Sequence, residues 1–122
     1  MQVSLVLVEH PAVVRQTLTS RLSLEDDFRI VGEASDAAYA TELAVSLSPD
    51  VVLLDAEMPH IDLQSAIREL AERAPGSAIV VLSLEPARVR RAHPSLTVVG
   101  KHEGTGALIA AIRSAGTGPH PD

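Results

Sequence analysis

Four stretches of the chain are apolar at almost every position, a pattern typical of strands buried on both faces of a parallel sheet. They are residues 3–8 (VSLVLV), 51–54 (VVLL), 78–82 (AIVVL) and a shorter run at 96–99 (LTVV). A further stretch, beginning at Phe28 and ending near Gly32, also has strand character. The pattern therefore predicts five strands.

Between these strands, apolar residues recur every three or four positions, which is the spacing of an amphipathic helix. The first predicted helix begins at Pro11, where the missing N–H of proline is tolerated, and runs to about Leu24. Its apolar face consists of Val14, Leu18 and Leu22. Four more helices are predicted, from Ser35 or Asp36 to Leu47, from Asp62 to Ala74, from Pro86 to Ala92, and from Thr105 to Gly116. In the second helix, one face is formed by Ala40, Leu43, Ala44 and Leu47.

Strands that alternate with helices predict an α/β fold with right-handed crossovers and helices on both faces of the sheet. We expect a flavodoxin-like (βα)5 doubly wound parallel sheet with strand order 2-1-3-4-5. The fourth helix is shortened, because Pro86 and Pro94 leave room for only about two turns. Residues 1–116 form one predicted domain, and residues 117–122 (TGPHPD) have the composition of a linker or tail.

The composition of the chain argues against several classes of function. The net charge of −6 argues against direct binding to nucleic acid, because phosphate contacts need clustered basic residues. The one dense basic group, Arg88, Arg90 and Arg91, is interpreted as a solvated helix face. The sequence has no cysteine, no apolar run near the roughly 20 residues of a membrane span, and no signal-peptide pattern. We therefore expect a cytoplasmic protein that does not contact membranes.

Polar residues stand where the predicted strands end. Glu9 and His10 follow the first strand, Asp55 ends the third, Ser83 ends the fourth, and Lys101 follows the fifth. The carboxyl ends of parallel strands meet at one edge of the sheet, which is where ligands bind in open α/β folds. Lys101 is the only lysine in the chain, so its position beside these acids is notable. The sequence thus predicts a charged crevice at this edge.

Several motifs in this crevice resemble those of the receiver domain of bacterial response regulators, over nearly the whole chain from Val3 to about Ala115. VVLLDAEMP resembles the segment that bears the phospho-accepting aspartate, which implies this role for Asp55. VVLS implies that Ser83 is the switch hydroxyl, and Lys101 matches the lysine that pairs with the phosphoryl group. The segments SPDVVLLD and ALIAAIR are similar to receivers attached to LuxR-type helix-turn-helix output domains.

The resemblance also implies a magnesium site, and here the sequence departs from the family. Receivers use two adjacent acids after the first strand, the phospho-accepting aspartate, and the backbone carbonyl two residues beyond it, here Glu57. An ungapped alignment places Glu9 and His10 at the paired-acid positions, and a slipped one places Val8 and Glu9 there. One acid is missing in both cases, and imidazole is a poor Mg²⁺ ligand. We expect Mg²⁺ binding to be weak or absent, and no other cofactor.

Two functions therefore compete. The first is an atypical receiver that is not an enzyme and that signals independently of phosphorylation, through dimer contacts, a partner or a small ligand. The alternative is a working receiver, phosphorylated on Asp55 by a histidine kinase or a small phosphodonor. Both readings predict a homodimer, with DNA contacted only through a separate output domain. A stand-alone flavin-binding protein is a distant third option, because Phe28 and Tyr39 are the only aromatic residues.

Simpler explanations remain open for individual residues. Lys101 and Asp55 could form a structural ion pair, and Ser83 could cap the helix that follows it. His10 could be a partly exposed loop residue, or its protonated imidazole could occupy the metal's place beside Asp55. A zinc site formed by His10, His60, Glu9 and Glu57 lacks a diagnostic spacing.

Overall fold

The computed structural model describes residues 2–117 and contains one sheet of five parallel strands in the order β2-β1-β3-β4-β5. The strands are β1 (Val3–Val8), β2 (Phe28–Ala34), β3 (Val51–Asp55), β4 (Ala78–Ser83) and β5 (Thr97–Gly100). The helices are α1 (Ala12–Leu22), α2 (Ala37–Leu47), α3 (Leu63–Arg73), α4 (Pro86–Ala92) and α5 (Thr105–Thr117), with a 3₁₀ turn at Lys101–Glu103. The predicted flavodoxin-like fold, its strand order and its short fourth helix are confirmed.

The sheet is buried between two layers of helices, as its unbroken apolar strands predict. Alternate residues of β1 and β3 face opposite layers: Val6 and Val52 pack toward α2 and α3, whereas Leu5 and Leu53 pack toward α5. All four of these side chains are at most 2% exposed. Burial of such a side chain contributes roughly 1.5 to 3 kcal/mol, so β1 and β3 anchor the fold. The edge at which they end is therefore a rigid base for polar side chains.

The second strand is longer than the sequence predicts. It was expected to end near Gly32, but β2 continues to Ala34. The pairing of β2 with β1 shifts within this strand, because Leu5 pairs with Ile30 whereas the next residue, Val6, pairs with Gly32. A glycine at such a bulge lets the strand continue instead of ending it. The side chains of α2 also lie close to Gly32, which leaves little space for a larger residue.

The apolar faces predicted for the first two helices are only partly buried. In α1, Leu22 is fully buried, but Val14 is 43% exposed, and the helix ends at Leu22 instead of continuing to Leu24. Pro11 precedes α1 as its capping residue. In α2, Leu47 is 45% exposed. Both residues lie close to the ends of their helices.

Gly116 does not end the last helix, because α5 continues to Thr117. The reason for a glycine at this position is close packing, since a Cβ atom there would collide with the side chain of Val3 on β1. The predicted tail thus begins inside the helix at residue 117, and its other residues, 118–122, lie outside the described part of the chain. Within residues 2–117, no helix has the length and apolar character needed to cross a membrane.

Candidate functional site

The parallel sheet brings the predicted polar residues to one crevice, at the carboxyl ends of β1, β3, β4 and β5. Glu9, Asp55 and Ser83 are buried, with 3%, 4% and 1% exposure, and the Lys101 side chain is 24% exposed. β3 lies between β1 and β4, so Asp55 is at the centre of the group. The roles that the family resemblance implies for these residues stay predictions.

Asp55 is surrounded by donors. Its Oδ1 atom lies 2.8 Å from Nζ of Lys101 and accepts a 2.9 Å hydrogen bond from the backbone N–H of Glu57. Burial by itself would raise the pKa of Asp55. The hydrogen bonds from Glu9 and Lys101 outweigh burial and lower the pKa below its ordinary value, so Asp55 stays ionised.

The pKa of Glu9 is shifted in the opposite direction. Burial, together with the hydrogen bond to Asp55 and the negative charge of that residue, raises the pKa of Glu9 to about 8. At this pKa the Glu9 carboxyl group keeps its proton at neutral pH, beside the ionised Asp55. Two further hydrogen bonds hold the segment between β1 and α1. The His10 N–H donates to Glu9 Oε1 at 3.0 Å, and Arg15 donates to the Glu9 carbonyl at 3.2 Å.

Lys101 bridges two carboxylates. Its Nζ atom lies 2.8 Å from Asp55 Oδ1 and 2.8 Å from Glu57 Oε1. Partial burial acts to lower the pKa of Lys101, but the bonds to Asp55 and Glu57 have the larger combined effect and raise it. The ammonium group is therefore firmly charged, and it supplies the positive charge at the centre of the crevice.

The contacts of the Glu57 side chain with Ser83 and Lys101 are a feature that the sequence analysis missed, since it considered the backbone carbonyl as a magnesium ligand and the side chain only as a zinc ligand. Its Oε2 atom accepts a hydrogen bond from the Ser83 hydroxyl at 2.9 Å, and its Oε1 atom accepts one from the Leu84 N–H at 3.0 Å. Ser83 in turn accepts a 2.9 Å bond from the N–H of Glu85, just before α4. One signal was available: Glu57 is an acid two residues after Asp55, at the edge that carries the only lysine.

The side chain of His10 is not part of this group. It is exposed, and within residues 2–117 it forms no ion pair with Asp55. Instead it lines a cavity of about 660 Å³ between α2 and α3, which His60 also lines. Glu9 and Glu57 do not line that cavity, so the four residues of the conceivable zinc site are divided between two places.

The residues of the crevice do not fit a complete magnesium site. In the described part of the chain, no group of three or more His, Asp or Glu side chains is arranged to hold a metal ion. Glu9 and Asp55 provide carboxyl oxygens, but Glu9 holds a proton that a cation would have to displace. The position after Glu9 carries an exposed imidazole in place of a second acid, and Mg²⁺ prefers oxygen ligands.

Comparisons with known proteins agree with the fold. The family model described as the response regulator receiver domain matches residues 5–102. The receiver domain of the putative response regulator NarL from Mycobacterium tuberculosis superposes with a TM-score of 0.83 at 27% identity, covering 97% of this chain and 98% of that one. The response regulator domain of Thermotoga maritima CheB has a TM-score of 0.82 at 22% identity, covering 98% and 99% of the two chains, and shows the same fold.

Curated relatives include both enzymes and transcription regulators. The chain is 38% identical over 85 residues to a protein-glutamate methylesterase/protein-glutamine glutaminase of Syntrophus aciditrophicus, covering 70% of this chain and 25% of that protein. It is 30% identical over 83 residues to the transcriptional regulatory protein DegU of Brevibacillus brevis, covering 68% of this chain and 35% of that protein. The similarity thus spans about a quarter to a third of the length of these relatives.

Proposed function

The chain belongs to the receiver domain family of response regulators, and we propose that it is an atypical receiver whose signalling does not depend on Mg²⁺-supported phosphorylation of Asp55. The observation that supports this proposal most strongly is that an exposed imidazole, and not a second acid, follows the buried Glu9, while Lys101 is shared between Asp55 and Glu57. Burial also raises the pKa of Glu9 to about 8, so a cation would compete with a proton at this carboxyl group.

The chemistry of phosphoryl transfer explains why this matters. Transfer to a carboxylate depends on positioning and on neutralising the charge of the phosphoryl oxygens. Among residues 2–117, Lys101 is the only cationic side chain in contact with Asp55, and Glu57 shares it. A divalent ion would have to expel the proton of Glu9 and would find no second acid after it. We therefore expect Mg²⁺ to bind weakly or not at all.

The domain has a regulatory role in this proposal and no enzyme activity of its own. We propose that it acts in the cytoplasm as a homodimer and controls a separate output domain. A LuxR-type DNA-binding domain is the output we favour, because SPDVVLLD and ALIAAIR resemble receivers of that type and the chain is similar to the transcriptional regulatory protein DegU. A histidine kinase or a small ligand remains the proposed input.

A working receiver is the second candidate. The contact between Asp55 and Lys101, and the Ser83 hydroxyl in the same crevice, favour it, since these are the groups that the family resemblance links to the phosphoryl group. In that case Asp55 would accept a phosphoryl group despite the altered acid pair.

Incubation with acetyl phosphate, with and without Mg²⁺, distinguishes the two candidates by intact-mass spectrometry. We expect no phosphoryl adduct on the wild-type chain, and an adduct on a His10→Asp variant, in which the missing acid is restored. The double variant His10→Asp/Asp55→Asn is the control and should lose the adduct. A Mg²⁺-dependent adduct on the wild type that disappears in Asp55→Asn would establish the working receiver instead.

A further inference from the structure

The side chain of Glu57 occupies a set of hydrogen-bond donors that is suited to an external anion. We propose that the Glu57 carboxylate is a tethered anion, which fills the anion-binding donors of this receiver and holds the loop between β4 and α4 in place. This inference rests on the proposed function, since it names the group that replaces the phosphoryl group in a receiver that does not require phosphorylation.

Three donors from separate segments converge on this one carboxylate. The Ser83 hydroxyl bonds Oε2 at 2.9 Å, whereas the Leu84 N–H and Lys101 Nζ contact Oε1 at 3.0 and 2.8 Å. Ser83 ends β4, Leu84 begins the loop, and Lys101 begins the 3₁₀ turn after β5. A hydroxyl, an amide and an ammonium group together satisfy both carboxylate oxygens, and bonds of this kind are stronger than neutral ones.

These contacts also hold the loop. The side chain of Leu84 is 62% exposed, so the loop gains little from apolar packing at this point. The Leu84 N–H donates to Glu57, and the Glu85 N–H donates to Ser83, which itself donates to Glu57. The side chain of Glu57 therefore joins the loop that leads into α4 to the segment after β3.

An external anion would have to displace this side chain. A phosphate group takes the same bonds from hydroxyl, amide and ammonium donors as a carboxylate does. Because Glu57 is joined to Asp55 by a single intervening residue, its carboxylate competes at the effective concentration of a short tether, which lies in the millimolar range or above. The chain therefore keeps the loop in its anion-bound arrangement and resists outside anions at the same time.

Titration with inorganic phosphate in the absence of Mg²⁺, followed by NMR at the backbone amide of Leu84, tests the proposal. We expect Glu57→Ala to bind phosphate with a saturable shift and about tenfold more tightly than the wild type, because the tethered competitor is gone. Glu57→Gln, which keeps the size of the side chain but loses its charge, should bind with an intermediate affinity. The matched control is Glu85→Ala, which removes the same charge from the neighbouring loop between β4 and α4, where the Glu85 side chain contacts neither Ser83 nor Lys101. This variant should bind phosphate as the wild type does.

Equal phosphate affinity in the wild type and both Glu57 variants would overturn the proposal. An equal gain in phosphate affinity in Glu85→Ala would also overturn the proposal, because the effect would then come from net charge alone. If Glu57→Ala fails to fold, Glu57→Gln still provides the comparison. The proposed function fails by a different measurement, a phosphoryl adduct on wild-type Asp55, so the two outcomes are separable.

Discussion

Charged side chains form groups at both ends of the sheet, and the two groups are built differently. At the amino ends of the strands, Arg113 of α5 lies 2.7 Å from Asp27 and 3.1 Å from Glu25. Arg21 also contacts Glu25, at 3.0 Å, and the guanidinium of Arg113 lies 5.2 Å from the centre of the Phe28 ring. This amino-end group has two cations for two carboxylates and is partly open to water.

The crevice at the carboxyl ends has three carboxyl groups, Glu9, Asp55 and Glu57, for the single cation Lys101. In the amino-end group, hydrogen bonds lower the pKa values of both acids, so every member keeps its charge. In the crevice the excess of acid and the burial force Glu9 to hold a proton. The amino-end group is thus balanced in charge and partly hydrated, whereas the crevice has an excess of acid and two buried acids, Glu9 and Asp55.

The largest effect should come from removing the crevice cation. Lys101→Met leaves Asp55 and Glu57 without their shared partner in a poorly hydrated place, and we expect it to lower the free energy of unfolding by about 3 kcal/mol. Urea unfolding at neutral pH measures this. Arg113→Met is the matched control, since it also removes one cation from two carboxylates, and it should cost clearly less. If the two variants lose a similar free energy of unfolding, burial and charge balance do not make the crevice energetically different from the amino-end group.

A smaller effect should appear in the pH dependence of stability. Glu9 keeps its proton in the folded chain up to a pH of about 8, whereas in the unfolded chain it loses the proton near its ordinary pKa of 4.5. The unfolded state then binds fewer protons between these values, so wild-type stability should fall as the pH rises through this window. We expect a fall of roughly 2.5 kcal/mol relative to Glu9→Gln, measured by urea unfolding from pH 5 to 7. Parallel curves for the two proteins would contradict the raised pKa of Glu9.

The smallest effect should be found in the amino-end group. The pKa of Asp27 is lowered, chiefly by the hydrogen bond from Arg113, so its contribution is present above the ordinary carboxyl pKa and is lost as the pH falls through the folded value. Asp27→Asn should therefore be less stable than the wild type at neutral pH, and the two proteins should become equally stable in acid. In about 1 M salt the difference should shrink, because the Debye length falls to about 3 Å. Thermal unfolding at two salt concentrations checks this, and a difference that is insensitive to salt would show that the pair is shielded from solvent.

Much of the fold could be predicted from the sequence, because unbroken apolar strands and amphipathic helices leave few ways to bury their faces. The runs at β1, β3 and β4, and the prolines around α4, gave element positions that the structure reproduces to within a residue or two. The wrong predictions concern the ends of β2 and α5, which depend on tertiary contacts. Gly32 continues its strand through a shift in pairing, and Gly116 packs against Val3 instead of ending α5.

The sequence by itself determined that the polar residues would meet at one edge, because parallel strands place their carboxyl ends together. It could identify Asp55, Ser83 and Lys101 as members of the crevice, but their mutual contacts depend on distances between separate strands. Only the tertiary structure decided that burial raises the pKa of Glu9, that the side chain of His10 is exposed and lines a separate cavity, and that the side chain of Glu57 takes the donors of Ser83 and Lys101. Those features depend on burial and on the direction of side chains, and neither is a property of residue order alone.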